Sequence, residues 1–391
     1  MSILYPTHPI TYRQETASLV FKLLRQGENC VLVGTASVSK SNFLHFLLRT
    51  DVRTFYLGQD NERTLLLYVD LNRCSAAAEW AYCELVLNTL VIECNRMNID
   101  ADILSMLSDL HKEVALSKDR LLAQRYLERA VWLICGQLGW RLVIILDEAD
   151  EFYRISDAQF LCNLRAMRDD YKYKLSFLLA TRQTLDRLRP ADVEDETEAF
   201  DELFSRNNVG LRPYNHDDAS RMIDQLVVRK EAFITIEQRR AILELSGGHP
   251  GLLSASFDLF ARNPSISIPV GLQAFLEDDG IAVECVRIWD SLQEDEQQGL
   301  QQIAANVHPA PTVLDILALK GLIAVGTDGG PRIFSSLYQK YVESCSNEGT
   351  TDFIIEEGTK SILAGGRRIR GLSPLEFDLI KYLFENRGKV Q

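Results

Sequence analysis

At 391 residues, with 46% hydrophobic and 25% charged side chains, the chain has an ordinary globular composition and is long enough for about two to four domains. A formal charge of −13 excludes a surface that is basic throughout, so any DNA contact has to be local. No run approaches the roughly 18 apolar residues of a membrane span, so no membrane partner is expected, and the opening "MSILYPTHPITYR" lacks the basic start and apolar stretch of a secretory signal.

Residues 15–27 carry the spacing of a short amphipathic helix. "CVLV" (30–33) predicts a buried strand, "GTASVSKS" (34–41) a loop, and a helix follows over about 40–49. A phosphate-cradling loop has the form G-x-x-x-x-G-K-[ST], because backbone N–H groups must converge on a phosphate, a lysine must reach the β and γ oxygens, and a hydroxyl must hold Mg²⁺. Gly34, Thr35, Ala36, Ser37, Val38 and Ser39 would form the cradle, with Lys40 as the charge, Ser41 as the metal ligand and Asn42 beside them. Ser39 stands where the pattern has its second glycine. If that position needs positive φ, serine costs on the order of 1 kcal/mol and weakens binding several-fold without abolishing it.

"TLLLYVDL" (64–71) is a continuous apolar run, as in a strand covered on both faces. Helical periodicity covers 76–96 and 118–138. "RLVIILDEADEF" (141–152) is a strand running into carboxylates, a helix lies near 157–170, and "KLSFLLATR" (174–182) is a further strand. Strands alternating with helices over some 200 residues predict an α/β fold, a doubly wound parallel sheet, and the loop at 34–41 would make it one of the P-loop NTPase kind. Lys40 and Asp147 are then expected on adjacent strands whose carboxyl ends share one edge, where ligands bind. In that setting Asp147 would hold Mg²⁺ through water and Glu148 would polarise the attacking water. A structural reading of Glu148, as a cap on the following helix, stays open. Arg182 ends its strand where a side chain reaches a γ-phosphate and so distinguishes a tri- from a diphosphate; a solvated strand-end arginine is the alternative.

"PADVEDETEAFDEL" (190–203) crowds seven acidic residues into a short span and reads as a solvated loop. From about 207 the pattern is helical, over 215–230, 235–246 and, after "SGGHP", 249–262. Residues 283–345 read as two helices, a Gly-rich hairpin and another helix, the outline of a winged helix. The tail from 352 holds three short strands and an amphipathic helix starting near Pro374. The eight cysteines are scattered through apolar segments, with no C-x-x-C pair and no nearby histidine cluster. They read as reduced core residues of a cytoplasmic protein, with no zinc site.

In this order, the phosphate loop, "ILDEAD", "ATR", a helical lid with "GGHP" and a winged helix resemble the AAA+-related STAND signal-transduction ATPases, whose nearest kin in pattern are the origin-recognition ATPases. The resemblance spans about residues 8–345. It implies ATP or ADP with Mg²⁺ as ligands, slow hydrolysis, a nucleotide-gated switch, and self-association on activation in bacterial signalling. It also implies an ATPase domain over 1–205, a helical lid over 206–280, a winged-helix domain over 281–346 and a partial second winged helix over 347–391. "ITYRQE" (10–15) is similar to the segment that touches adenine in such proteins, which would put Tyr12 and Arg13 beside the base, and Pro250 in "LSGGHPG" would pack near adenine and ribose. Arg165, Arg168 and Arg206 are candidates for an arginine supplied to a neighbouring copy.

The tail carries a separate resemblance: "RRIRGLSPLEFDLIKYLFENRGKV" looks like the first half of a response-regulator-type winged helix. The pattern breaks off at Gln391, before a recognition helix, so the chain is expected to be a piece of a longer protein or a shortened form. Arg367, Arg368 and Arg370 could touch phosphates, and DNA would be met through the winged helix of a longer form. A second reading is therefore a DNA-binding regulator or loader whose ATPase half has decayed into a scaffold. A third is a protein-interaction platform in bacterial immunity.

Overall fold

A computed structural model describes residues 8–189, 194–263, 272–326, 329–346, 354–356, 361–364, 367–369 and 374–385. The first part runs α1 (Gln14–Arg25), β1 (Cys30–Val33), α2 (Lys40–Leu48), α3 (Thr50–Leu57), β2 (Thr64–Asp70), α4 (Glu79–Arg96), α5 (Ala101–Ser117), α6 (Arg120–Val131), β3 (Arg141–Asp147), α7 (Ala149–Ile155), α8 (Ala158–Asp170), β4 (Leu175–Thr181), α9 (Glu194–Asp201) and β5 (Asn208–Gly210). The five strands form one parallel sheet in the order β2-β3-β4-β1-β5.

Alternation along β1 shows why the sheet is covered twice. Cys30 and Leu32 join a core with α1 and α2, whereas Val31 and Val33 face α4, α6 and α8 on the other side. Strand ends are aligned by register: Val33 pairs with Thr181, and Asp70 with Asp147. Gly34, Asp147 and Arg182 therefore leave the sheet at one edge.

Three expectations are corrected. Lys40 and Asp147 do not follow adjacent strands, because β4 lies between β1 and β3. The acidic stretch is not a solvated loop over its described part: 194–201 is helical, with Phe200 buried against Phe177, and Tyr153 donating to the Asp201 carboxylate at 2.5 Å. Residues 208–210 begin with a strand, β5, which pairs with β1. Helices α3 and α5 fall in stretches to which the sequence assigned no element.

Beyond β5 come α10 (His216–Lys230), α11 (Ile236–Ser246), α12 (Pro250–Arg262), α13 (Leu272–Leu276), α14 (Asp279–Asp290), α15 (Glu294–Ala304) and α16 (Pro311–Leu319). The antiparallel hairpin β6 (Ile323–Val325) and β7 (Pro331–Ile333) and then α17 (Ser336–Ser346) follow. These helices share the core that covers α1 and α2, so the helical part is packed on that face of the sheet. The tail holds an antiparallel sheet of β8 (Ile354–Glu356), β9 (Ser361–Ala364) and β10 (Arg367–Ile369), then α18 (Pro374–Glu385). Arg370 and the residues after Glu385 lie outside the described residues.

Candidate functional site

The loop between β1 and α2 is a tight backbone turn. Ser37 and Ser39 both have positive φ, 57° and 74°. This is the left-handed region that favours glycine, and Ser39 occupies it where the pattern has one. Lys40 is 6% exposed, and its ammonium donates to the carbonyl oxygens of Gly34 (2.9 Å) and Thr35 (3.2 Å). Burial lowers its pKa, while the nearby carboxylates of Glu148 and Asp150 oppose that shift. A buried cation at the N-terminus of α2, beside two loop residues held at positive φ, fits a phosphate group.

Thr35, Ala36, Ser37, Val38, Ser39, Lys40, Ser41 and Asn42 line one cavity of about 590 Å³, and Glu148 and Arg182 line it too. Its remaining wall is Arg287, Asp290 and Ser291, at the end of α14. Gly34 lies behind Val38: a Cβ there would stand 2.8 Å from the valine Cγ1.

Asp147 is buried and does not line the cavity. Its Oδ2 accepts from the Tyr68 hydroxyl at 2.8 Å and its Oδ1 from the Glu148 amide at 3.0 Å. Glu148 occupies the N-cap position of α7 but makes no side-chain cap hydrogen bond, and its φ is 53°. The Glu148 carboxylate lies 3.5 Å from the Arg182 guanidinium. The Arg182 amide donates to Asp150 at 2.8 Å, which fixes the strand end. Among the described residues no group of three or more His, Cys, Asp and Glu could hold a metal ion. A Mg²⁺ ion here would therefore draw on few protein ligands, Ser41 and Asp147 by type, and on phosphate oxygens.

Two further contacts tie the helical part to this edge. His249, fully buried, places Nε2 3.2 Å from the Thr35 hydroxyl, and burial, then the charge of Arg13, depresses its pKa to about 3. Gln183 donates through Nε2 to Glu296 at 2.8 Å, and Glu296 pairs with Lys320 at 2.5 Å, both side chains of that pair being 0% exposed.

A second cavity of about 500 Å³ shares Ser39 and Asn42 with the first and is otherwise lined by His8, Tyr214, Met222 and other residues of α10. Tyr12, Arg13 and Pro250, expected beside a base, line neither cavity. The Tyr12 hydroxyl bonds to that of Tyr214 at 2.9 Å, and Arg13 donates to the carbonyls of Val38 (2.8 Å) and Arg212 (2.5 Å). Pro250 is the buried first residue of α12. His8 lines the cavity instead, stacked on Tyr12 with ring centroids 3.9 Å apart. Sequence reasoning missed His8, Tyr68, His249 and Arg287. Only Tyr68, a hydroxyl inside an apolar strand, carried a local signal.

Of the arginines considered for a neighbouring copy, Arg168 is buried and donates to the Gly27 carbonyl at 3.3 Å. Arg165 is paired with Asp169 and Glu202, and Arg206 is exposed.

No protein-family model matches the sequence, and no curated protein matches it. Solved structures do. The Walker-type ATPase PABY2304 of Pyrococcus abyssi aligns with 87% of this chain and 99% of its own, at 16% identity and a TM-score of 0.53. The ORC2 protein of Aeropyrum pernix, solved in its ADP form, aligns with 88% of this chain and 95% of its own, at 13% identity and a TM-score of 0.46. A STAND protein with a tetratricopeptide-repeat sensor from Pyrococcus horikoshii, PH0952, aligns with 88% of this chain and 46% of its own, at 14% identity and a TM-score of 0.35. At such identities the likeness is one of fold alone: a five-stranded parallel sheet with helices on both faces, shared with the Walker-type ATPase of P. abyssi.

Proposed function

We propose that the chain is an adenine-nucleotide-binding ATPase of the signal-transduction type, a switch held closed by its ligand. One observation carries this reading: a single cavity has the loop 35–42 with Lys40 on one side, Glu148 and Arg182 on another, and the end of α14 on a third. Phosphates in that cavity would contact the sheet edge and the helical part at once. The second cavity, which shares Ser39 and Asn42 with the first, would take the base and ribose, with His8 and Tyr214 among its walls.

The roles follow from chemistry. Lys40 supplies charge to the β and γ oxygens, Ser41 is the hydroxyl suited to Mg²⁺, and Asp147, buried behind the cavity, would act on that ion through water. When bound, that ion neutralises charge developing on the phosphate oxygens. Glu148, facing the cavity beside Arg182, orients and polarises a water. Arg182 reads the terminal phosphate. Tyr68 holds the Asp147 carboxylate. The domain units that match this reading are 1–205, 206–280, 281–346 and 347–391, and self-association would follow when the helical part is released. Eight free cysteines suit a reducing, cytoplasmic setting.

Binding and turnover test it. Lys40→Ala abolishes binding of Mg-ATP, and Glu148→Gln preserves binding while stopping hydrolysis. Full binding by Lys40→Ala would mean that the phosphates lie elsewhere. Ser39, held at φ 74° in the cradle, supports the alternative of a weakened ATPase that serves as a scaffold for DNA binding. A salt-dependent DNA shift unchanged by nucleotide would mark that alternative.

A further inference from the structure

A further cavity, of about 330 Å³, adjoins the phosphate cavity and has no role in the reading above. It lies between the turn after β2, the start of α4, and α7, and Glu148 lines both cavities. Part of its wall is apolar: Leu71, Ile155 and the stacked rings of Tyr82 and Phe152, whose centroids are 4.6 Å apart. Tyr82 is 1% exposed, and its hydroxyl is buried with no hydrogen-bond partner among the described residues. Burial, then the neighbouring thiols of Cys83 and Cys74, raise its pKa, so it stays a neutral hydroxyl. Cys74 lines the same cavity.

Three carboxylates, Glu79, Glu148 and Glu151, complete this wall, and among the described residues that line it none is a lysine, arginine or histidine. Glu151 is held by Arg154 at 2.7 Å. The other two are held loosely. Glu148 meets Arg182 at 3.5 Å, and Glu79 meets Arg120 at 3.7 Å, while Arg120 makes its closer contact with Asp157 at 2.9 Å. The Asp157 amide donates to Glu79 at only 3.4 Å. Charge-assisted pairs close to about 2.7–2.9 Å, so both carboxylates keep acceptor capacity, at 18% and 30% exposure. Loosely held negative charge, aromatic rings and an unpartnered hydroxyl suit one class of ligand. A cation carried on an apolar body would satisfy the acceptors with its N–H groups, and the rings would favour both its charge and its carbon skeleton. We propose that this cavity binds a small organic amine in its ammonium form, held by the Glu79 and Glu148 carboxylates and the Tyr82 hydroxyl. An ammonium on Glu148 takes that carboxylate from the water it would polarise, so occupancy slows hydrolysis. That consequence, unlike the binding, rests on the nucleotide reading.

Calorimetric titration of the full chain with phenethylamine, in the absence of nucleotide, tests the site, with phenylethanol as the uncharged counterpart. The amine should bind saturably and at least about tenfold more tightly than the alcohol. Glu79→Gln, which keeps shape and removes charge, should weaken the amine about tenfold and leave the alcohol unchanged. Tyr82→Phe should weaken the amine several-fold yet raise the melting temperature of the unliganded chain, because it removes an unsatisfied buried hydroxyl. No saturable binding, equal binding of amine and alcohol, or an unchanged amine affinity in either variant overturns the proposal. If Glu79→Gln does not fold, the amine affinity of Tyr82→Phe decides. Saturating phenethylamine should also lower kcat for ATP several-fold with KM unchanged, and an unaltered kcat overturns the link through Glu148. A chain that binds no nucleotide overturns the nucleotide reading, and the amine titrations still decide the site.

Discussion

Ser39 holds a left-handed backbone conformation at the mouth of α2, and Ser37 and Glu148 hold it nearby. Non-glycine residues there carry strain on the order of 1 kcal/mol, tolerated only where the surroundings fix them. Ser39→Gly should therefore raise stability by about 1 kcal/mol in thermal melts and tighten nucleotide binding several-fold; unchanged values would mean the loop relaxes without strain. His249 gives a pH prediction. Its folded-state pKa is depressed to about 3 from an ordinary 6.5, so its contribution is present above pH 6.5 and is lost as pH falls toward 3. At pH 4 that loss is about 3 kcal/mol, and denaturant titrations of His249→Gln should show an acid limb shallower by that amount. His8, depressed to about 4 chiefly by burial, acts with the same sign. Lys40, Glu148 and Arg182 were legible in the sequence because each follows a short apolar strand at a spacing that chemistry dictates. His249 and Arg287 were not, since each lies more than 200 residues of chain from the phosphate loop 35–42, and no local pattern encodes that distance.

Elements were legible where periodicity was strong. β1 is an unbroken apolar run, β3 is one between Arg141 and Asp147, β4 is interrupted only by Ser176 before Thr181, and α10, α11 and α12 keep their 3.6-residue spacing. α9 was hidden by its charge: its acids mask the buried Phe200 and Thr197 that anchor it. β5, three residues long, is too short to show alternation. The link from β4 to the helical part was also hidden, because Gln183, Glu296 and Lys320 are far apart in sequence. Burial lowers Lys320 to about 8, against the pull of Glu296, so the pair is a marginal charge site. Lys320→Ala should cost about 3–5 kcal/mol, because it leaves Glu296 buried and unpaired. Replacing the pair together, Glu296→Leu with Lys320→Met, should recover most of that in the same melts. Equal losses in the single and double variants would show that packing, rather than charge, governs this joint.

At the scale of the whole molecule, the fold class was expected from the sequence, but the strand order was not. A parallel sheet fixes which edge carries the ligands and leaves open which strands are neighbours. The consequence is a cavity assembled from two halves of the chain, the loop 35–42 and sheet edge on one side and α14 on the other. No helix among the described residues is long and apolar enough to cross a membrane. Denaturing the purified chain and identifying the released small molecule by mass spectrometry tests the nucleotide site most directly. An adenine nucleotide should be recovered in near-stoichiometric amount, or be taken up from millimolar Mg-ATP, and be lost in Lys40→Ala. A folded chain that carries none and takes up none would contradict it.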